Sequence, residues 1–179
     1  MYHLKSSPPL APLQTLVDRM ERAGVRVALG GSGLLAAHGL ADTVRDWDLT
    51  TDAAVDQVIA VLEGGTFDHT GQDALHADQK LTLADGTIEV IVGFAFHTPR
   101  GVVRIATREQ GRWNGIPLGS PEAWAIAYHL LGREAKAEAL WRMLVERGAD
   151  PGAIAALLRE PLAPELAARL RALATSSTA

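Results

Sequence analysis

Two alternating runs, Lys80–Ala84 and Thr87–Val92, flank the dipeptide Asp85-Gly86. Asp-Gly between alternating apolar residues is the strongest short-range hairpin signal a chain can carry, because both central positions of the favoured turn need φ > 0. A two-residue turn there sets Ala84 opposite Thr87, Thr82 opposite Glu89 and Lys80 opposite Ile91. Strand side chains alternate, so Ile88, Val90 and Val92 share one face with Leu81 and Leu83. Glu89 then shares the other face with Thr82 and, diagonally, with Lys80.

The rest of the chain arranges itself around this pair. Pro8, Pro9 and Pro12 hold back a helix until Pro12, after which Leu13, Leu16, Val17 and Met20 recur at helical spacing and Gly24 supplies a stop. Val25–Leu29 reads as a short strand, Ser32–His38 as a helix, and Val44–Thr51 as a second strand. Asp52 is an expected N-cap for a helix to Leu62. Val102–Thr107 is a further strand. Beyond Gly119 only helices are expected. The first opens at Ser120-Pro121-Glu122, with an N-cap, a proline in the first turn and an acid beside it. Others run from Arg133, from Asp150-Pro151 and from Pro164. The expected organisation is a tail at 1–11, an α/β domain over 12–115 and a helical subdomain over 120–175.

Composition narrows the chemistry. With no cysteine, the chain has no disulfide framework, zinc ribbon or thiolate nucleophile. A net charge of −4 supplies no electrostatic footprint for a long nucleic acid. No 18-residue apolar run occurs, so no membrane span is expected and a cytoplasmic location is. His69, His76 and His97 show no metal-ligand spacing, and the glycines match neither the dinucleotide fingerprint nor a hydrolase nucleophile elbow.

Three features remain. Gly30-Gly31-Ser32 carries an apolar strand into a helix, where glycine lets backbone approach a ligand and the helix start offers N–H groups to an anion. Asp46 and Asp48 project from one face of a strand while Trp47 and Leu49 anchor the other. Side-by-side carboxylates repel, and a hard divalent cation such as Mg²⁺ is the usual relief. Glu89 is a single acid among apolar strand residues. Each alone has a plainer reading: a tight turn, a solvated strand face, and an edge-strand charge that discourages aggregation.

In this order the three resemble the nucleotidyltransferase superfamily. Gly30-Gly31-Ser32-Gly33 through His38-Gly39, followed by Arg45-Asp46-Trp47-Asp48-Leu49, looks most like its small bacterial members. The resemblance spans roughly residues 13–145 and extends to a basic pair, Arg133 and Lys136, in the helical half. It implies an α/β (α+β) fold, a mixed sheet flanked by helices and followed by a helical part. It further implies Mg²⁺ held by Asp46, Asp48 and Glu89, with Glu89 binding a second ion or acting as base, and phosphates cradled by Gly30, Gly31 and Ser32. Lys80, from its face and reach, is a candidate for the triphosphate tail. The implied reaction moves a nucleoside monophosphate from an NTP to a hydroxyl of a small molecule or protein and releases pyrophosphate. A cationic acceptor would be supported if Asp42, Asp68, Asp73 and Asp78 clustered at the site. Asp42 and His129 stand where relatives often carry Arg and Lys. Those departures favour the alternative, an inactive nucleotide-sensing or antitoxin-like binding module with a protein partner.

Overall fold

The computed structural model of the chain describes residues 4–62, 65–83 and 86–176. Ala84 and Asp85 of the expected turn lie outside the described residues. The strands beside them, β4 (Gln79–Leu83) and β5 (Ile88–Val92), pair antiparallel with Thr82 opposite Glu89 and Lys80 opposite Ile91, the register that the alternation dictates.

Three more strands complete the main sheet: β1 (Ala28–Leu29), β2 (Trp47–Thr51) and β3 (Phe67–Thr70). The order is β1-β2-β5-β4-β3, with β2 and β5 parallel and every other pair antiparallel. The sheet is therefore mixed. Strand β2 buries Trp47 and Leu49 completely, as its alternation requires. Helix α1 (Leu10–Arg22) turns Leu13, Leu16, Val17 and Met20 to the core. It begins two residues ahead of expectation, because Pro12 still falls in the first turn, where its missing N–H is not needed. Residues 4–6 do not hang free: Lys5 N–H donates to the Asp42 carbonyl and Val44 N–H to that of Ser6. Helices α2 (Gly31–Ala37) and α3 (Val55–Leu62) follow β1 and β2. The expected N-cap Asp52 is not adjacent to α3, and its carboxylate instead accepts the Thr107 N–H at 2.9 Å.

Two small hairpins follow: β6 (Ala95–Thr98) with β7 (Gly101–Arg104), which overlaps the strand expected over Val102–Thr107 but stops at Arg104, and β8 (Arg112–Trp113) with β9 (Ile116–Pro117), which was not anticipated. The second sets Trp113 against Trp47, ring centroids 6.2 Å apart. Helices α4 (Pro121–Leu130), α5 (Glu134–Arg147), α6 (Pro151–Leu157) and α7 (Pro164–Ser176) form the C-terminal part. Ser120 and Asp150 cap α4 and α6, accepting the N–H groups of Ala123 and Ala153. Helix α4 is buried on all sides, from Pro121 to Tyr128, as an apolar-all-round helix must be. Its Trp124 stacks on Phe94 at 5.0 Å and on Tyr128 at 5.5 Å, so a single hydrophobic core runs from sheet into helices. No helix among the described residues is long and apolar enough to cross a membrane.

Candidate active site

Asp46 and Asp48 lie on the side of the β2 segment opposite Trp47, and the parallel register sets Asp48 directly beside Glu89 on β5. Neighbouring strands are about 4.8 Å apart, so the like charges interact strongly. Two of the three acids have a cation close by. Arg45 Nε is 3.4 Å from Asp46 Oδ2, and Lys80 Nζ is 3.6 Å from Glu89 Oε2. Asp48 forms no ion pair with a described residue. Burial, then the charges of Asp46 and Glu89, push its carboxyl from 3.8 up to about 7, with Lys80 and Arg133 pulling weakly the other way.

The glycine turn is built against this carboxylate. Gly30 N–H donates to the Asp48 carbonyl at 2.8 Å. Gly31 has φ +53°, and a Cβ there would sit 1.7 Å from Asp48 Oδ2. At Gly30 a Cβ would meet the Trp124 indole at 1.9 Å. Both glycines thus answer to packing inside the protein: one admits the Asp48 side chain, the other admits a tryptophan from α4. Ser32, one residue on, joins Thr43, Arg45, Asp46, Asp48, Arg133 and Lys136 around a cavity of about 320 Å³.

The helical half supplies the far wall. Helix α4 ends at Leu131 and Gly132, and the chain then turns Arg133 and Lys136 toward the acids. Lys136 Nζ lies 5.3 Å from the centre of the Tyr128 ring, close enough for a cation–π contact. Burial, then the Arg133 guanidinium, hold Lys136 below its usual range. The Tyr128 hydroxyl is buried with no hydrogen-bond partner among the described residues. Its pKa is pushed up by burial first and by Asp48 second.

The cavity therefore gathers Asp46, Asp48 and Ser32, with Gly31 packed beside Asp48. Glu89 and Lys80 adjoin it through the strand register but do not line it. No group of three His, Cys, Asp or Glu among the described residues is drawn together tightly enough to hold a metal ion as it stands. The donor chemistry still fits a hard divalent cation: oxygen-only ligands, with burial first and the neighbouring acids second raising the pKa of Asp48. The acids considered for a cationic acceptor do not gather here. Asp42 pairs with Lys5, Asp68 lines a separate groove beside Thr82, Asp73 accepts the N–H groups of Leu75 and His76, and Asp78 is buried elsewhere. Sequence reasoning singled out neither Thr43 nor Tyr128 as site residues. It met Arg45, Arg133 and Lys136 only through the resemblance, although their signals were present: a cation just before the first acid, and a basic i,i+3 pair where a helix starts.

No protein family model matches the sequence, and no curated protein matches it. Solved structures do. A Thermotoga maritima protein provisionally assigned as a nucleotidyltransferase, with a crystal structure at 1.87 Å, is similar at a TM-score of 0.54 and 22% identity. The match covers 76% of this chain and 92% of that one. The crystal structure of ANT(2")-Ia in complex with adenylyl-2"-tobramycin is similar at a TM-score of 0.54 and 15% identity, over 93% of this chain and 97% of the other. Identities this low speak to fold: the chain has a nucleotidyltransferase-like fold.

Proposed function

We propose that the chain is a nucleotidyltransferase, moving a nucleoside monophosphate from an NTP to the hydroxyl of a small-molecule acceptor and releasing pyrophosphate. The observation that carries this reading is the strand register that sets Asp48 beside Glu89 and two residues from Asp46, next to Ser32 and three basic side chains. Relatives in fold include ANT(2")-Ia, whose complex with an adenylylated aminoglycoside supports a small hydroxyl-bearing acceptor.

In the proposed reaction the acceptor oxygen forms a bond to the α-phosphorus. The bond from that phosphorus to the α,β-bridging oxygen breaks, and pyrophosphate leaves with the electron pair. Glu89, 3.6 Å from the Lys80 ammonium, accepts the hydroxyl proton. Arg133, Lys136 and Arg45 bind phosphate oxygens, and the Ser32 hydroxyl donates to one of them. Lys80 serves the triphosphate tail once Glu89 has turned to the acceptor. Asp46 and Asp48, with Glu89 as the third acid, would hold Mg²⁺, which when bound neutralises charge on the phosphate oxygens. Positioning and charge neutralisation dominate such a transfer.

A second reading, a non-catalytic nucleotide-binding module, draws on one observation: Glu89, although beside Asp48, is ion-paired with Lys80 and does not line the cavity of the two aspartates. Calorimetry with Mg-ATP and Mg-GTP, then pyrophosphate release over a panel of hydroxylated acceptors, separates the two. Turnover abolished by Asp48→Asn establishes the enzyme. Nucleotide binding with no release of pyrophosphate for any acceptor overturns it in favour of the module.

A further inference from the structure

A second, smaller cavity lies on the protein away from the carboxylates and shares no lining residue with them. It holds about 100 Å³ between the end of β7, the segment after it, and α6. That is room for about three waters, or for one tetrahedral oxyanion. Three arginines line it, Arg104, Arg108 and Arg159, against one acid, Glu160.

The arginines are poorly matched by their neighbours. Glu160 Oε2 is already taken by the Arg104 backbone N–H at 2.8 Å. Arg108 Nη2 reaches Asp150 Oδ1 only at 3.8 Å, and that oxygen also accepts the Ala153 N–H at 2.6 Å. The guanidinium groups of Arg104 and Arg159 form no ion pair with any described residue. Nor does the wall compensate, since the Ser120 hydroxyl is spent on Glu122 and Ala153 and Leu157 are apolar. Gly152 leaves room for the Arg108 guanidinium: a Cβ there would lie 3.0 Å from Nη2. In a chain of net charge −4, three arginines lining one small hollow against a single acid form a local excess of positive charge. Such groups repel one another until an anion arrives, and their planar forks match tetrahedral oxyanions in pairs of hydrogen bonds.

We propose that this hollow is a binding site for a phosphate-type oxyanion of two or more negative charges, either free phosphate or the phosphate of a small ester. Arg104, Arg108 and Arg159, all exposed at its rim, supply the donors. The site is independent of the nucleotidyl-transfer reading. It stands whether or not the carboxylate cavity turns over.

Calorimetric titration of the full chain tests it, using inorganic phosphate and glycerol 3-phosphate as probes, with sodium chloride matched for ionic strength. Saturable binding is expected for at least one probe. Its Kd should rise at least tenfold in Arg104→Gln and in Arg159→Gln, recover partly in Arg159→Lys, and stay within twofold in Arg133→Gln, which lies in the other cavity. Both arginines are exposed, so thermal melts of the variants should match the parent and certify folding. Binding of both probes identifies free phosphate as sufficient, and binding of the ester alone identifies a phosphorylated small molecule. No saturable heat beyond chloride with either probe overturns the proposal. So does binding lost in Arg133→Gln but kept in Arg104→Gln and Arg159→Gln.

Discussion

Glu122 at the head of α4 and Asp48 on β2 are both carboxylates set among apolar residues, and the protein treats them in opposite ways. Glu122 is 1% exposed yet fully occupied. Its Oε2 accepts from the Ser120 hydroxyl at 2.6 Å and from Gln110 Nε2 at 3.0 Å, and its Oε1 accepts the Asp150 N–H at 2.7 Å. Those bonds tie the start of α4 to the segment before β8 and to the cap of α6. Asp48 receives no comparable set of donors and faces two further acids. One carboxylate holds the helical half together; the other is left in electrostatic tension. Tension of this kind marks sites kept for a ligand at some cost in stability.

That contrast can be broken from its structural side first. Glu122→Ala should destabilise the protein by about 3 kcal/mol, since one buried and two half-buried donors lose their acceptor together. A chemical-denaturation midpoint within error of the parent would show that the network is ornamental. Next in size, Gly30→Ala should cost about 2–3 kcal/mol and diminish nucleotide binding, because the new methyl overlaps Trp124 and the turn beside Asp48 must shift. Adding Trp124→Leu should recover part of that loss, and thermal melts of the single and double variants measure it.

Asp48→Asn is expected to do the reverse, raising stability while abolishing turnover. The rise from 3.8 to about 7 corresponds to at most about 4 kcal/mol of native-state penalty, reduced to roughly 2 kcal/mol because Asp48 is only half-buried and keeps some contact with solvent. The sign follows from proton binding. Between those pH values the native state holds the proton more tightly than the unfolded chain, so this group makes stability fall as pH rises. The gain from Asp48→Asn should thus be absent near pH 4, grow up to pH 7 and level off above it. A gain independent of pH would detach the effect from the charge. Smallest is Asp78→Asn. Asp78 is 2% exposed, its oxygens have no partner among the described residues, and burial raises its pKa. Removing the charge should gain less than about 1 kcal/mol at pH 8, as the amide would still lack partners. Melting curves at pH 5 and pH 8 test for that small difference.

The register of β4 and β5 was legible because an Asp-Gly turn and a two-residue alternation leave one pairing that buries Leu81, Ile88 and Val90 together. The α4 start was equally plain, from a serine cap and a proline. Strand β6 was not legible. Its four residues follow β5 after only Gly93 and Phe94, and their pairing with β7 depends on contacts that no local pattern announces. The start of α3 shifted for a similar reason: Asp52 is claimed by the Thr107 N–H, a residue far along the chain.

At the site, alternation along β2 accounts for Asp48 facing away from Trp47 and Leu49, since a strand has only two faces, and Asp46, just ahead of the strand, lines the same cavity. The chemistry implied for Gly30 and Gly31 was phosphate approach, but their tightest demands come from Trp124 and Asp48, which reach them from other elements. The basic wall of Arg133 and Lys136, the unpartnered Tyr128 hydroxyl and the arginine hollow by α6 likewise follow from how the helices dock. Turn chemistry and periodicity act between neighbours and are written in residue order. Charge balance within a cavity is a sum over groups that meet only once the sheet and helices have closed on a common core.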